Sequence, residues 1–230
     1  EYLCRGAGFF PNIEKNGIEF KNLMLDSIPE ADVMGIWMLS FEDYYLNKYG
    51  DKQLKTTYLL DLEPWSSPEK PWSAALRGKK VLIIHPFTDT IQSQYQKRQE
   101  IFPGTDILPE FELKTLKAVQ TVAGEKDDRF ATWFDALDWM YEEALKIDFD
   151  VAIIGCGAYG FPLAAKLKEA GKQAIHLAGA TQLMFGIKGK RWEENDAFAY
   201  VQKFFNDAWV YPSDKDRPKQ ASKVENGCYW

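Results

Sequence analysis

Three glycines at a fixed spacing, Gly155-x-Gly157-x-x-Gly160, form the pattern whose chemistry is easiest to infer from this sequence. They follow an apolar run and precede a helical pattern, which is the context in which such a turn holds a phosphate. Glycines let the backbone approach a phosphate, and the unpaired N–H groups at the helix start donate to it. The pattern predicts a nucleotide-binding turn made of Gly155, Gly157, Ala158, Tyr159 and Gly160. The alternative is a tight strand-to-helix turn that binds nothing.

The strand that follows this turn discriminates between two classes of ligand. A nicotinamide-dependent oxidoreductase places an Asp or Glu near the end of that strand, where the carboxylate binds the ribose hydroxyls. Here the strand ends in His-Leu-Ala-Gly at positions 176–179, which contain no acidic residue. An NAD(P)-dependent oxidoreductase is therefore the less favoured alternative.

A second candidate phosphate site is the segment 182–192, Gln-Leu-Met-Phe-Gly-Ile-Lys-Gly-Lys-Arg-Trp. Lys188 and Arg191 carry charges that can neutralise a diphosphate, and the neighbouring aromatic residues can stack on a base or a sugar. The two glycines allow the segment to wrap around a ligand. We predict that Gln182, Lys188 and Arg191 contact a nucleotide; the alternative is a solvated charged loop.

His85 and Glu63 are the candidate catalytic groups. The imidazole of His85 follows an apolar run, and an imidazole titrates near neutral pH, so it is a candidate general base for a hydroxyl group. Asp61-x-Glu63 and Asp148-x-Asp150 both have the spacing of paired carboxylates that hold a divalent cation. Glu63 is preferred because the second pair starts a strand, far from the carboxyl ends where ligands bind. A structural histidine and a chance pair of acids are the competing interpretations.

The candidates depend on a fold in which strands alternate with helices. Expected strands cover 34–40, 56–62, 79–87, 111–122, 150–155 and 172–179. Expected helices cover 41–49, 72–76, 90–101, 133–147, 161–170 and 193–205, and polar segments lie at 126–129 and 213–222. The alternation predicts an α/β fold, a Rossmann-like doubly wound, mostly parallel sheet with helices on both faces. We expect a single α/β domain over 1–230, with 1–78 as a candidate subdomain and a nucleotide-binding βαβ unit at 150–179.

Composition excludes several classes of protein. The hydrophobic fraction of 46% is that of a folded globular chain, and the formal charge of −6 without a basic run argues against a nucleic-acid partner. The three cysteines show no CxxC spacing, which argues against a disulfide framework or a zinc site. No apolar run is long enough for a transmembrane segment, and no signal-peptide pattern is visible. We expect a cytoplasmic protein, with peripheral attachment to the inner face of the membrane as an additional option.

Six motifs together resemble one family. They are Gly6–Pro11, Leu62–Pro64, Pro71–Ser73, Val81–Phe87, Phe149–Gly160 and Phe185–Trp192. This combination resembles the GT-D-fold-like domain proteins, which are encoded in bacterial surface-polysaccharide clusters and are similar to glucosyltransferases that decorate adhesins. The resemblance extends from about Gly6 to Trp230, and its motifs are more specific for the domain than for an activity.

The resemblance implies a glycosyltransferase that moves a sugar from a nucleotide-diphosphate donor, such as a UDP-sugar, to a glycan acceptor, with Mn²⁺ or Mg²⁺ as cofactor. The family places an Asp-x-Glu element near the start of its domain, and the first thirty residues here contain none. Asp61-x-Glu63 is not in the matching place, so the metal ligands are unassigned. A non-catalytic nucleotide- or sugar-binding module of polysaccharide assembly is therefore the main alternative to a transferase.

Overall fold

A computed structural model describes residues 2–121, 127–217 and 227–230. The strands are β1 (Val33–Ile36), β2 (Lys55–Tyr58), β3 (Lys80–His85), β4 (Glu112–Lys117), β5 (Val151–Ile154) and β6 (Gln173–His176). The helices are α1 (Tyr2–Gly6), α2 (Glu14–Asp26), α3 (Glu42–Tyr49), α4 (Thr88–Tyr95), α5 (Arg98–Ile101), α6 (Trp133–Leu145), α7 (Gly160–Glu169), α8 (Ala180–Met184), α9 (Lys190–Glu193) and α10 (Ala199–Gln202). Short 3₁₀ helices cover Ile28–Glu30, Leu59–Leu62, Pro64–Ser66, Trp72–Leu76, Gly157–Tyr159 and Asp196–Phe198. Residues 122 and 126, and 218–222 of the expected polar tail, lie outside the described residues.

The main sheet has four parallel strands in the order β4-β3-β5-β6. Ile83 of β3 lies opposite Thr115 on one side and Ile153 on the other, which fixes the register. The chain leaves β3 towards β4 and then returns to the other side of β3 as β5. The strand order therefore reverses between β3 and β5, which is the switch point of the sheet. The predicted α/β class with a mostly parallel sheet is confirmed.

Both faces of the main sheet are covered, which explains why β3 and β5 are continuous apolar runs. Val81 and Ile83 point to one face and pack with α4, α5 and α8, while Leu82 and Ile84 point to the other and pack with α6 and α7. Side chains alternate between the two faces of a strand, so an apolar run is needed when both faces are buried. All four side chains are fully buried, and each contributes roughly 1.5–3 kcal/mol to folding.

A second, two-stranded parallel sheet pairs β1 with β2. It lies within the N-terminal 78 residues and is joined to the main sheet's helices by Lys168 of α7. The Lys168 ammonium donates to the Glu30 carbonyl at 2.6 Å and to the Asp32 carboxylate at 2.9 Å. Most side chains of β1 and β2 are at least partly exposed, unlike those of β3 and β5.

Some predicted boundaries differ from the structure for local reasons. The helix predicted over 193–205 is wrong as one element, because the Asn195 side chain accepts the N–H of Ala197 and starts a new turn after α9. The Gln202 amide then binds the Trp192 carbonyl at 2.8 Å and holds the two short helices together. The strand predicted over 56–62 ends at Tyr58, whose N–H donates to the Asp61 carboxylate in the following 3₁₀ helix.

Candidate ligand-binding site

The carboxyl ends of β3, β4, β5 and β6 border a cavity of about 240 Å³, which we call the site cavity. It is lined by Gly6, Ala7, His85, Pro86, Phe87, Val119, Gln120, Thr121, Gly155, Cys156, Gly157, Ala158, Tyr159, Ala178, Gly179, Gln182, Tyr229 and Trp230. The site cavity lies at the switch point of the main sheet, where ligands of open α/β sheets bind. No Asp, Glu, Lys or Arg is among these described lining residues.

Two of the three motif glycines are required by packing rather than by space for a ligand. A Cβ atom on Gly155 would lie 2.6 Å from Cδ2 of His85 and 2.7 Å from the carbonyl oxygen of Ala178. A Cβ atom on Gly160 would collide with the ring of His176, so this glycine permits the close packing of α7 on β6. The absence of a side chain at both positions therefore allows the strand ends to pack closely around the site cavity.

Gly157 differs from the other two glycines because it is exposed and faces open space. Its φ angle is +59°, a left-handed conformation that favours glycine, and a Cβ atom at this position would meet no other atom within 4 Å. The 3₁₀ turn Gly157–Tyr159 leads directly into α7, and its N-cap residue, Cys156, makes no side-chain capping hydrogen bond. The start of this helix therefore offers backbone donors and the positive end of a helix dipole to the site cavity.

Tyr159, predicted to contact a nucleotide, forms part of the wall. Its ring stacks on Trp133 with 4.4 Å between centroids, and its hydroxyl lies 3.4 Å from Oγ1 of Thr121. The Thr121 hydroxyl donates to the carbonyl of Gly8 at 2.7 Å, which fastens the N-terminal segment beside the strand ends. Burial raises the pKa of the Tyr159 hydroxyl, so this group stays protonated.

His85 is buried at the end of β3 and lines the site cavity. Its Nδ1 accepts the backbone N–H of Phe87 at 3.0 Å, so the proton of the neutral ring is assigned to Nε2. Burial lowers the pKa of His85 to about 3. A ring whose Nδ1 is occupied and whose Nε2 carries a proton is a hydrogen-bond donor, and these features favour that role over the predicted general base.

Gln182 and Arg191 both hold Tyr229 in the wall of the site cavity. The Gln182 amide is buried and donates to the carbonyls of Ile187 at 3.2 Å and Tyr229 at 3.3 Å. Nη1 of Arg191 donates to the Tyr229 hydroxyl at 2.8 Å, and the guanidinium lies 4.8 Å from the centre of the same ring. Gln182 lines the site cavity, whereas Arg191 reaches it through Tyr229.

Lys188 lies next to acidic and aromatic partners rather than in the site cavity. Its ammonium pairs with the Glu193 carboxylate at 2.7 Å and lies 4.9 Å from the centre of the Tyr211 ring. Neither Lys188 nor Arg191 lines the site cavity, and their joint contact with a diphosphate stays a prediction.

Glu63, the second predicted catalytic residue, is not brought together with His85 in the site cavity. Its Oε1 accepts the Tyr200 hydroxyl at 3.3 Å, and its Oε2 is buried without a hydrogen-bond partner among the described residues. Burial raises the pKa of Glu63 to about 7. The carboxyl group is therefore a buried acid with a hydrogen bond at one of its two oxygens, and it is not a base positioned opposite His85.

Sequence reasoning does not identify Gln120, Tyr229 or Trp230, which also line the site cavity. Tyr229 and Trp230 lie far from the strand ends in sequence, and no local pattern marks them. The Trp230 indole Nε1 is buried without a hydrogen-bond partner among the described residues. A buried donor without a partner is uncommon in folded proteins.

The described residues do not fit a divalent cation in the site cavity. Mg²⁺ and Mn²⁺ prefer carboxylate and carbonyl oxygens, and no carboxylate is among the described lining residues. Elsewhere in the described ranges, no three His, Cys, Asp or Glu side chains form a cluster, and Mg²⁺ or Mn²⁺ as a cofactor stays a prediction.

Comparisons of the chain with protein-family models, with curated proteins and with solved structures found no match. Within residues 2–121, 127–217 and 227–230, no helix combines the length and the apolar character that crossing a bilayer requires. What the chain does must therefore be inferred from the geometry of the site cavity and from the sequence motifs.

Proposed function

We propose that this chain binds a nucleotide-diphosphate sugar in the site cavity and takes part in glycosyl transfer during the synthesis of bacterial surface polysaccharides or glycoproteins. The observation that supports this best is the uncapped helix start at Gly157, at the switch point between β3 and β5. Backbone donors and a helix dipole at such a position favour a phosphate group. The resemblance of six sequence motifs to the GT-D-fold-like domain proteins favours a sugar nucleotide over other phosphorylated ligands.

In this proposal the diphosphate accepts hydrogen bonds from the backbone of Gly157 and Ala158. The Nε2 proton of His85 supplies a further donor from the wall of the site cavity. The Tyr229 ring, held by Arg191, offers an aromatic face on which a base or a sugar can stack. Neutral donors of this kind bind a phosphate through directed hydrogen bonds rather than through a salt bridge.

The size of the site cavity limits how much of the ligand it encloses. Small-molecule pockets usually measure about 300–1,000 Å³, so a cavity of about 240 Å³ holds the diphosphate and one ring at most. The remainder of a nucleotide sugar would extend over the exposed rim at Gly157. A donor sugar placed at that rim is accessible to an acceptor glycan.

A second candidate function is a nucleotide- or sugar-binding module without catalytic activity. It is favoured by the lining of the site cavity, in which the described residues include no carboxylate and the one histidine is a donor. An NAD(P)-dependent oxidoreductase is less well supported, because the residues after β6 that line the site cavity are Ala178, Gly179 and Gln182. None of them is an acid that could bind a ribose.

Calorimetry with UDP, GDP, UDP-glucose and NAD, with and without Mn²⁺, tests the binding step. We expect a UDP-sugar or a nucleoside diphosphate to bind and to raise the melting temperature. At a ligand concentration of about a hundred times Kd, the free energy of unfolding should rise by roughly 2.7 kcal/mol. Binding of NAD alone would contradict the proposal. A lack of response to every nucleotide would favour a turn that binds no phosphate.

Gly157→Val and Gly171→Val form a matched pair for this test. Both glycines have positive φ angles and face open space, but Gly157 begins the 3₁₀ turn that leads into α7 at the site cavity, while Gly171 follows the other end of α7. Each substitution introduces comparable backbone strain. We expect Gly157→Val to lose nucleotide affinity at least tenfold beyond any loss in Gly171→Val, and equal losses would exclude a phosphate contact at Gly157.

Release of UDP from a UDP-sugar in the presence of glycan acceptors distinguishes the two candidate functions. A transferase releases UDP in proportion to acceptor and forms a glycosylated product that mass spectrometry detects. A binding module retains the intact UDP-sugar under the conditions in which calorimetry shows saturation. Binding with no turnover on any acceptor would therefore support the module.

A further inference from the structure

The loop between β1 and α3 exposes four large apolar side chains within five residues. Trp37, Met38, Leu39 and Phe41 are 67%, 71%, 65% and 71% exposed, and only Ser40 interrupts them. We call residues 37–41 the apolar loop. Single exposed apolar residues are common on protein surfaces, but a contiguous group of this size marks a surface that contacts something other than water.

Hydrogen bonds hold the backbone of the apolar loop in a defined conformation. Oε2 of Glu42, the first residue of α3, accepts the N–H groups of Trp37 at 3.0 Å and Leu39 at 3.1 Å. These bonds satisfy backbone donors at the tip, which an apolar environment requires. Met38 and Phe41 have φ angles of +61° and +67°, which cost about 1 kcal/mol or more for residues other than glycine. The fold therefore maintains these side chains outward at an energetic cost.

Helix α3, which follows the apolar loop, carries exposed aromatic and charged side chains. Tyr44 and Tyr45 lie in the first turn of α3 and are about half exposed, and Lys48 lies one turn further on. The Lys48 ammonium donates to the Tyr44 hydroxyl at 3.1 Å and lies 5.2 Å from the centre of the Tyr49 ring. Two acids, Glu42 and the exposed Asp43, separate the apolar loop from Tyr44. The tyrosines and the lysine that follow them are side chains enriched at membrane interfaces.

We infer that the apolar loop inserts into the interfacial region of a lipid bilayer and attaches the chain to a membrane surface. Tyr44 and Tyr45 would lie at the level of the headgroups, where their rings are half apolar and half hydrated. Lys48 would reach the headgroup phosphates, and residues 42–55 as a whole carry three lysines and three acids. The inference does not depend on what the site cavity binds.

Co-sedimentation with lipid vesicles tests this inference. The vesicles are phosphatidylcholine alone and an equimolar mixture of phosphatidylcholine and phosphatidylglycerol. We expect the unmodified chain to bind both to a similar extent, because the three lysines of residues 42–55 are matched by three acids. The combined variant Trp37→Ser, Leu39→Ser and Phe41→Ser should bind about 100-fold more weakly, because three partly inserted side chains contribute roughly a factor of five each.

The matched control removes three apolar side chains that are exposed elsewhere. The combined variant Ile13→Ser, Ile18→Ser and Leu145→Ser changes residues that are 54%, 53% and 39% exposed, and it should bind vesicles as the unmodified chain does. Circular dichroism shows whether either variant is folded. The single variant Phe41→Gly relieves a positive φ angle and keeps the fold, and it should still weaken vesicle binding about fivefold.

Three outcomes would overturn the inference. The first is that the unmodified chain binds neither kind of vesicle. The second is that the control variant loses as much binding as the variant of the apolar loop. The third is that light scattering shows a dimer of the unmodified chain, that this dimer does not bind vesicles, and that substitution of the apolar loop dissociates it. This result would assign the surface to self-association.

Discussion

Asp216 caps helix α4 at Thr90, although the two residues lie 126 positions apart. Oδ2 of the carboxylate accepts the Thr90 backbone N–H at 2.9 Å and the Thr90 hydroxyl at 2.7 Å. The Lys117 ammonium lies 3.2 Å from Oδ1 and balances the charge of the buried acid. A carboxylate at the first turn satisfies unpaired backbone donors and interacts with the helix dipole. The contact fastens residues 213–217 beside the end of β3.

Removing the Asp216 carboxylate should therefore destabilise the fold. Asp216→Ala leaves the two donors of Thr90 without their acceptor and removes the nearer of the two carboxylates beside Lys117. We expect the free energy of unfolding to fall by about 2–3 kcal/mol. Urea denaturation measures the change. The control is Asp214→Ala, an exposed acid in the same segment, which should change stability by less than about 0.5 kcal/mol. Equal effects of the two substitutions would show that the cap is not stabilising.

The contrast between this cap and the central strands shows what the sequence can predict about the fold. Val81–Ile84 and Val151–Ile154 are predictable as strands because burial on both faces requires continuous apolar runs, and the structure confirms them. The cap at Thr90 depends on an acid that lies far away in sequence. Short elements such as α9 and α10 depend on single side-chain bonds, so periodicity does not reveal them.

The residues of the site cavity likewise divide into those that the sequence can identify and those that it cannot. The glycine turn and His85 are recognisable in the sequence because a strand end is a local feature that directs residues to a known edge of a sheet. Whether a glycine is needed for a ligand or for packing depends on its spatial neighbours, and these separate Gly157 from Gly155. Tyr229 is held by Gln182, 47 positions away, and by Arg191, 38 positions away, so no spacing rule could place it.

His85 and His176, the two histidines of the chain, should both remain neutral in the folded protein at neutral pH. Burial lowers the pKa of His85 to about 3 and that of His176 to about 4. An unfolded histidine binds a proton near pH 6.5, so stability is fully present above that value and is lost as pH falls towards 4. Nuclear magnetic resonance of the imidazole nitrogens should show an Nε2 proton on His85 and no titration near pH 6.5. A normal titration of either ring would contradict this.

Glu63 should reduce stability as pH rises. Burial raises its pKa from an ordinary value of 4.5 to about 7, so the folded protein binds a proton that the unfolded chain releases between these values. Its contribution to stability is fully present below pH 4.5 and is lost as pH rises to 7. Glu63→Gln should therefore stabilise the protein above pH 7 by up to about 3 kcal/mol and have little effect below pH 4.5. Glu69→Gln, at an exposed acid, should not change the pH profile, and a gain independent of pH in Glu63→Gln would exclude this origin.

Arg191 and Lys188 separate an indirect role in ligand binding from a direct one. Arg191 holds the Tyr229 ring in the wall of the site cavity, whereas Lys188 pairs with Glu193 away from it. We expect Arg191→Met to weaken nucleotide binding about tenfold, because the ring loses its hydrogen bond and its cation–π contact. Lys188→Met should leave the affinity unchanged. Calorimetry at two salt concentrations measures both variants.

The salt dependence of these affinities decides which role applies. If both cations contacted a diphosphate, the two substitutions would weaken binding to a similar extent, and the affinity of the unmodified chain would fall steeply with salt. A ring positioned by Arg191 predicts an asymmetric effect and a weak salt dependence, since the described lining of the site cavity carries no charged side chain. Tyr229→Leu should then reproduce the loss seen in Arg191→Met, and combining the two substitutions should add little, because both remove the same aromatic wall.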